Sequence, residues 1–93
     1  MIIALDFDGT HTQDPALWNR FIADSHKSGH RVVIATMRYE SESRSVLATV
    51  EGIERSDMFF TGRRAKRPHL AALGVLPDVW IDDNPHWVDG DIT

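Results

Sequence analysis

Residues 3–12 read IALDFDGTHT. An apolar run that belongs inside a sheet ends in two aspartates separated by one residue, and Gly9 and Thr10 follow at once. The whole run from Met1 to Phe7, MIIALDF, is nearly continuous in apolar residues. That is the pattern of a strand covered on both faces, as in a parallel sheet. With a strand period of two, Asp6 and Asp8 leave the backbone on the same side, and a tight turn at Gly9 keeps both facing one pocket. As local chemistry alone, Asp-Gly after a strand also spells an ordinary turn.

Working outward, Leu17, Trp18, Phe21 and Ile22 recur at helical spacing and predict a helix over Pro15–Ser28. Asp14 is its N-cap, Pro15 its first residue and Gly29 its stop. Arg31–Ala35 (RVVIA) is a β-branched strand ending at Thr36, and Val46, Leu47 and Val50 mark a second helix. Asp57–Thr61 (DMFFT) reads as a third strand, Pro68–Leu73 as a short helix closed by Gly74, and Asp78–Asp82 (DVWID) as a fourth strand. Strands alternating with helices predict an α/β fold: a Rossmann-like parallel sheet of about four strands between two helical layers. The residues after Trp87 are expected to fray.

At 93 residues the chain has room for one domain. An apolar content of 42% and a charged content of 26% are those of a globular protein. The absence of cysteine excludes disulfides, thiolate metal sites and cysteine nucleophiles, and fits a cytoplasmic setting. No signal peptide is visible and no apolar stretch approaches the ~20 residues that span a bilayer, so no membrane partner is expected. A net charge of −4 disfavours indiscriminate nucleic-acid binding. The five histidines show no paired metal-ligand spacing, and packing or surface roles are expected for them. The tryptophans are expected in the core or at its edge, with Trp87 and Asn84–His86 as an alternative pocket wall.

In doubly wound sheets, ligands bind beyond the carboxyl ends of the strands. The first predicted strand delivers Asp6, Asp8, Gly9 and Thr10 there; the second delivers Thr36; the segment after the third delivers Lys66; the fourth delivers Asp82 and Asp83. Four carboxylates in one pocket repel one another unless a cation joins them, and oxygen-only ligands suit a hard ion such as Mg2+.

DFDGT (residues 6–10), Thr36 after VVIA, Lys66 and the doublet of WIDD, taken in this order, resemble the four motifs of the haloacid dehalogenase superfamily of phosphotransferases. The resemblance implies a magnesium-dependent phosphomonoesterase in which Asp6 attacks phosphorus and forms an aspartyl-phosphate. Asp8 would protonate the leaving oxygen and then activate water. It also implies a metal held by Asp6, the backbone carbonyl of Asp8, and Asp82 or Asp83, with Asp83 the direct ligand and Asp82 its support. Thr36 would bond a phosphoryl oxygen and Lys66 would neutralise phosphate charge and orient Asp6. Gly9, Thr10, Arg38 and Arg64 are expected to contact substrate, although Arg38 could equally pair with Glu40 or Glu42.

The intervals between motifs leave no room for the cap domain that members of the superfamily usually carry, so the pocket is expected to be open. Capless relatives act on large phosphorylated partners or close the site with a neighbouring subunit, so a homo-oligomer or a partner supplying the cap is an expected alternative. The basic residues Arg63, Arg64, Lys66 and Arg67, set before a helix N-terminus, lean the substrate towards a nucleotide or nucleic-acid end. The other readings are transfer to an acceptor other than water, and a slow module that only binds phosphate or a nucleic-acid end.

Overall fold

In the computed structural model, which describes residues 1–92, the predicted strands are Ile2–Leu5 (β1), Arg31–Thr36 (β2), Met58–Phe60 (β3) and Val79–Ile81 (β4). They form one all-parallel sheet in the order β3-β2-β1-β4. The helices are Pro15–Lys27 (α1), Arg44–Thr49 (α2), Lys66–Ala72 (α3) and His86–Asp89 (α4). The Asp14 carboxylate accepts the Leu17 amide at 3.1 Å, and Pro15 opens α1 behind this cap.

The period of two along each strand divides the core between two faces. Ile3, Leu5 and Phe7 from β1 and its extension pack with Val32, Ile34 and Met58 against Ile22 of α1 and Val46 of α2. Ala4, Val33 and Ala35 point the other way, onto Leu70 of α3 and onto Val75. The result is a small Rossmann-like three-layer α/β/α fold.

The strand order places the site. From β1 the chain steps outward through β2 to β3, then crosses back over the opposite face to lay β4 on the other side of β1. Strand order therefore reverses between β1 and β4, and a crevice opens beyond their carboxyl ends. Leu5 is in register with Ile81, and the Asp6 amide continues the ladder to the Ile81 carbonyl at 2.9 Å. Asp6 and Asp82 thus stand side by side.

Two sequence expectations need correction. The third helix begins at Lys66 rather than Pro68, because the Asp91 carboxylate accepts the Ala65 amide at 2.6 Å and starts the helix earlier. Pro68 is tolerated there because first-turn amides have no intrahelical partner. Nor does the chain fray after Trp87 within the described residues: α4 packs on α3, Val88 is buried, and the Ile92 amide bonds the Arg63 carbonyl at 2.9 Å. Among the described residues, no helix is long and apolar enough to cross a membrane.

Candidate functional site

Asp6 and Asp82 follow Leu5 and Ile81, which face the α1 side, so alternation turns both carboxylates to the α3 side. There Lys66, the first residue of α3, meets them. Its Nζ donates to Asp6 Oδ1 at 2.7 Å and to Asp82 Oδ2 at 2.6 Å, and the residue is only 1% exposed. A buried charge needs such partners, since an unpaired one costs several kcal/mol, roughly 3 to 5 when a partner is removed.

Thr10 ties the two loops together. Its hydroxyl donates to Asp6 Oδ2 at 3.1 Å and accepts the Asp83 amide at 3.2 Å. The hydroxyl thereby links Asp6 to the β4 loop and positions both. Gly9 holds a left-handed backbone at φ 86°, and a Cβ there would lie 2.2 Å from Asp83 Oδ2. Only glycine lets the Asp83 carboxylate lie against this turn. The Gly9 amide donates to Thr12 Oγ1 at 2.9 Å, which closes the turn from the other side.

One oxygen from each of Asp6, Asp82 and Asp83 falls within 4.8 Å of the others. Asp82 has both oxygens engaged, by Lys66 and by the Asn84 amide at 2.9 Å. Asp83 receives no hydrogen bond from a protein donor among the described residues, and its carboxylate is the one with lone pairs to offer. Three carboxylates converging without nitrogen or sulfur donors fit a hard divalent cation. Burial pushes the Asp6 carboxyl up to about 7, against the opposing pull of Lys66, with Asp83 and Asp82 adding to the rise.

Asp8 lies apart from this triad. Its carboxylate is 54% exposed and is gripped by Arg38 through Nε at 2.8 Å and a second guanidinium nitrogen at 2.9 Å. Arg38 also donates to the Glu42 carbonyl at 2.9 Å and lies 5.1 Å above the Phe7 ring. The predicted alternative of a side-chain pair with Glu40 or Glu42 gives way to this fork, whose planar geometry matches a carboxylate. Thr36 closes β2, buried, and its Oγ1 accepts the Arg38 amide at 3.2 Å. Among the described residues its hydroxyl proton has no acceptor.

The basic cluster is largely answered from within. Arg63 donates to the Met37 carbonyl at 2.7 Å, lies over Tyr39 and pairs with Glu42. Arg67 binds Asp89 at 2.7 Å and covers Trp80. Arg64 is the most exposed of these residues, 3.9 Å from Asp91, and makes no hydrogen bond to the carboxylate cluster.

A cleft of about 310 Å³ adjoins the cluster, lined by Gly9, Thr10, Asp82 and Asp83 together with Gln13, Trp18 and Ile81. Its aromatic wall is Trp18. The predicted alternative, Trp87 with Asn84–His86, does not line it, since α4 carries Trp87 away to the α3 layer. His11 is buried, stacked on Phe7 with ring centroids 5.7 Å apart and bonded to Asn19 at 2.8 Å, a packing role as expected.

No protein-family model, curated protein or solved structure matches the chain. The functional reading therefore rests on the geometry of the site.

Proposed function

We propose that the protein is a magnesium-dependent phosphomonoesterase of the haloacid dehalogenase type, working through an aspartyl-phosphate on Asp6. The observation that carries this reading is the meeting of Asp6, Asp82 and Asp83 within 4.8 Å at the β1/β4 crevice, with Lys66 wedged between the first two. Lys66 offsets the charge of only two of the three carboxylates, which leaves Asp83 to be answered by a cation.

Asp6, Asp83 and the turn at Asp8 would hold the metal, which when bound neutralises phosphate charge and relieves repulsion among the carboxylates. Lys66 and Thr10 fix the carboxylate of Asp6 from both oxygens, so that it meets phosphorus without a rotamer search. Attack by Asp6 forms the carboxylate–phosphorus bond as the bond to the leaving oxygen breaks, and Asp8 delivers its proton to that oxygen. In the second half Asp8 takes a proton from water, which attacks phosphorus and releases Asp6 and inorganic phosphate. The Thr36 hydroxyl donates to a phosphoryl oxygen, and stabilising the spread charge of that group is the main catalytic term in such reactions.

Arg38 must release Asp8 for the acid step, and the incoming phosphoryl group is the natural competitor for its guanidinium. This grip also favours a second reading, a module that binds phosphate and turns over slowly.

The test is phosphate release from an aryl phosphate, from nucleotides and from phosphorylated oligonucleotides, with magnesium or EDTA, comparing the parent with Asp6→Asn. Magnesium-dependent release lost in the mutant supports the esterase. Release from none of them, with magnesium still raising the melting temperature, supports the binding module. In either reading Asp83→Ala is expected to abolish the magnesium-induced rise, because the ion binds only the folded cluster; an unchanged rise would remove Asp83 from the site.

A further inference from the structure

The cleft beside the carboxylates has features that hydrolysis of a bare phosphate does not require. Its volume of about 310 Å³ is at the low end of small-molecule sites, which run from roughly 300 to 1,000 Å³. That is room for one aromatic ring. Trp18 and Ile81 give it apolar walls, and Trp18 is set in place by an edge-on contact with Phe21, ring centroids 5.5 Å apart. A prepositioned indole offers a stacking surface at little entropic cost. Gln13, at the end of the 3-10 turn His11–Gln13, is exposed, and its side-chain amide has no hydrogen-bond partner among the described residues. It presents a donor and an acceptor to whatever enters. Asp82 and Asp83 also line it, so an anion is disfavoured within the cleft while a neutral group bearing N–H donors is welcome.

We infer that this cleft is the leaving-group subsite, and that it selects phosphomonoesters whose alcohol carries an aromatic ring, stacked on Trp18 with Gln13 bonding its polar edge. The inference rests on the phosphomonoesterase reading for its catalytic role. The phosphoryl group lies at Asp6 and the ring reaches past Thr10 and Asp83 into the cleft.

The test uses pairs matched in leaving-group chemistry: benzyl phosphate against n-butyl phosphate, and adenosine 5′-monophosphate against ribose 5-phosphate, each with magnesium. Aromatic members are expected to show kcat/KM about ten-fold higher, the scale of one stacked ring. Trp18→Leu should draw both ratios towards one. Gln13→Ala, an exposed position that does not threaten folding, should lower the nucleotide ratio but not the benzyl ratio. Equal kcat/KM within both pairs for the parent would overturn the subsite while leaving the esterase intact. The Trp18 indole N–H resonance, followed as unphosphorylated adenosine is added, reads the cleft without turnover. A shift with no hydrolysis of any ester would keep the cleft and sink the esterase; no shift and no hydrolysis would sink the cleft as well.

Discussion

Two ion pairs beyond the carboxyl end of β1 behave as opposites. Lys66 is sealed between Asp6 and Asp82 with 1% of its surface exposed, whereas Arg38 holds Asp8 at the rim, where 54% of the Asp8 side chain meets solvent. The first arrangement is reached by two neighbouring strands and the start of a helix, so it cannot open without disturbing the sheet. The second joins two loop residues, and water can replace either partner at small cost. The region thus has a fixed wall, which holds Asp6, and an exchangeable one, which holds Asp8, the nucleophile and the acid of the proposed reaction.

The largest effect should come from breaking the fixed wall. Lys66→Met leaves two buried carboxylates adjacent and unpaired, and is expected to destabilise the fold by about 3 to 5 kcal/mol in denaturant unfolding. A loss under ~1 kcal/mol would show that the triad is hydrated and not a wall at all. The pH dependence of stability sharpens the same point. Asp6 is raised from 3.8 to about 7, so between those values the folded chain binds a proton that the unfolded chain has released. Its contribution is present at low pH and is lost as pH rises through the folded value, so stability of the metal-free protein should fall between pH 4 and 7. Asp6→Asn should flatten that fall; an equal slope in the mutant would place the titrating group elsewhere.

Gly9→Ala tests the joint between the two loops. The left-handed φ and the 2.2 Å approach to Asp83 predict a loss of roughly 1 to 3 kcal/mol together with a weakened magnesium-induced rise in melting temperature. The smallest change belongs to the exchangeable wall: Arg38→Ala should alter stability by no more than about 1 kcal/mol, as exposed pairs do. It should instead change the rate of phosphate release, because the guanidinium no longer competes for the Asp8 carboxylate. A large stability loss with an unchanged rate would make Arg38 a structural pin.

The fold was legible because each strand announces itself. MIIALDF and RVVIA are dense in β-branched and apolar residues, and Asp14-Pro15 and Gly29 punctuate the first helix. The meeting of Asp6 with Asp82, Asp83 and Lys66 followed from strand ends alone, since topology carries those positions to one edge. What sequence could not carry were contacts made by loops. The Arg38–Asp8 fork spans 30 positions with no periodicity to betray it. The Asp91 cap that starts α3 at Lys66 lies 26 positions from its amide. The four-residue helix α4 is too short to show a period. Trp18 sits in an apolar helical stripe and therefore reads as core, which is half correct: it packs on Phe21 and also lines the cleft.

The central placement of β1 has a kinetic side. It pairs with β2 along one edge and with β4 along the other, and its partner in β4, Ile81, is in register with Leu5. That closure joins segments from the two ends of the described chain, and such long-range parallel pairing is the slow part of assembling a sheet. Until it happens, one edge of β1 stands open to pairing with another chain. Asp6 and Asp82 come together only when that pairing forms. Nascent chains held short of β4 should therefore be aggregation-prone and metal-blind, and the gain of magnesium affinity should report the closing of the sheet.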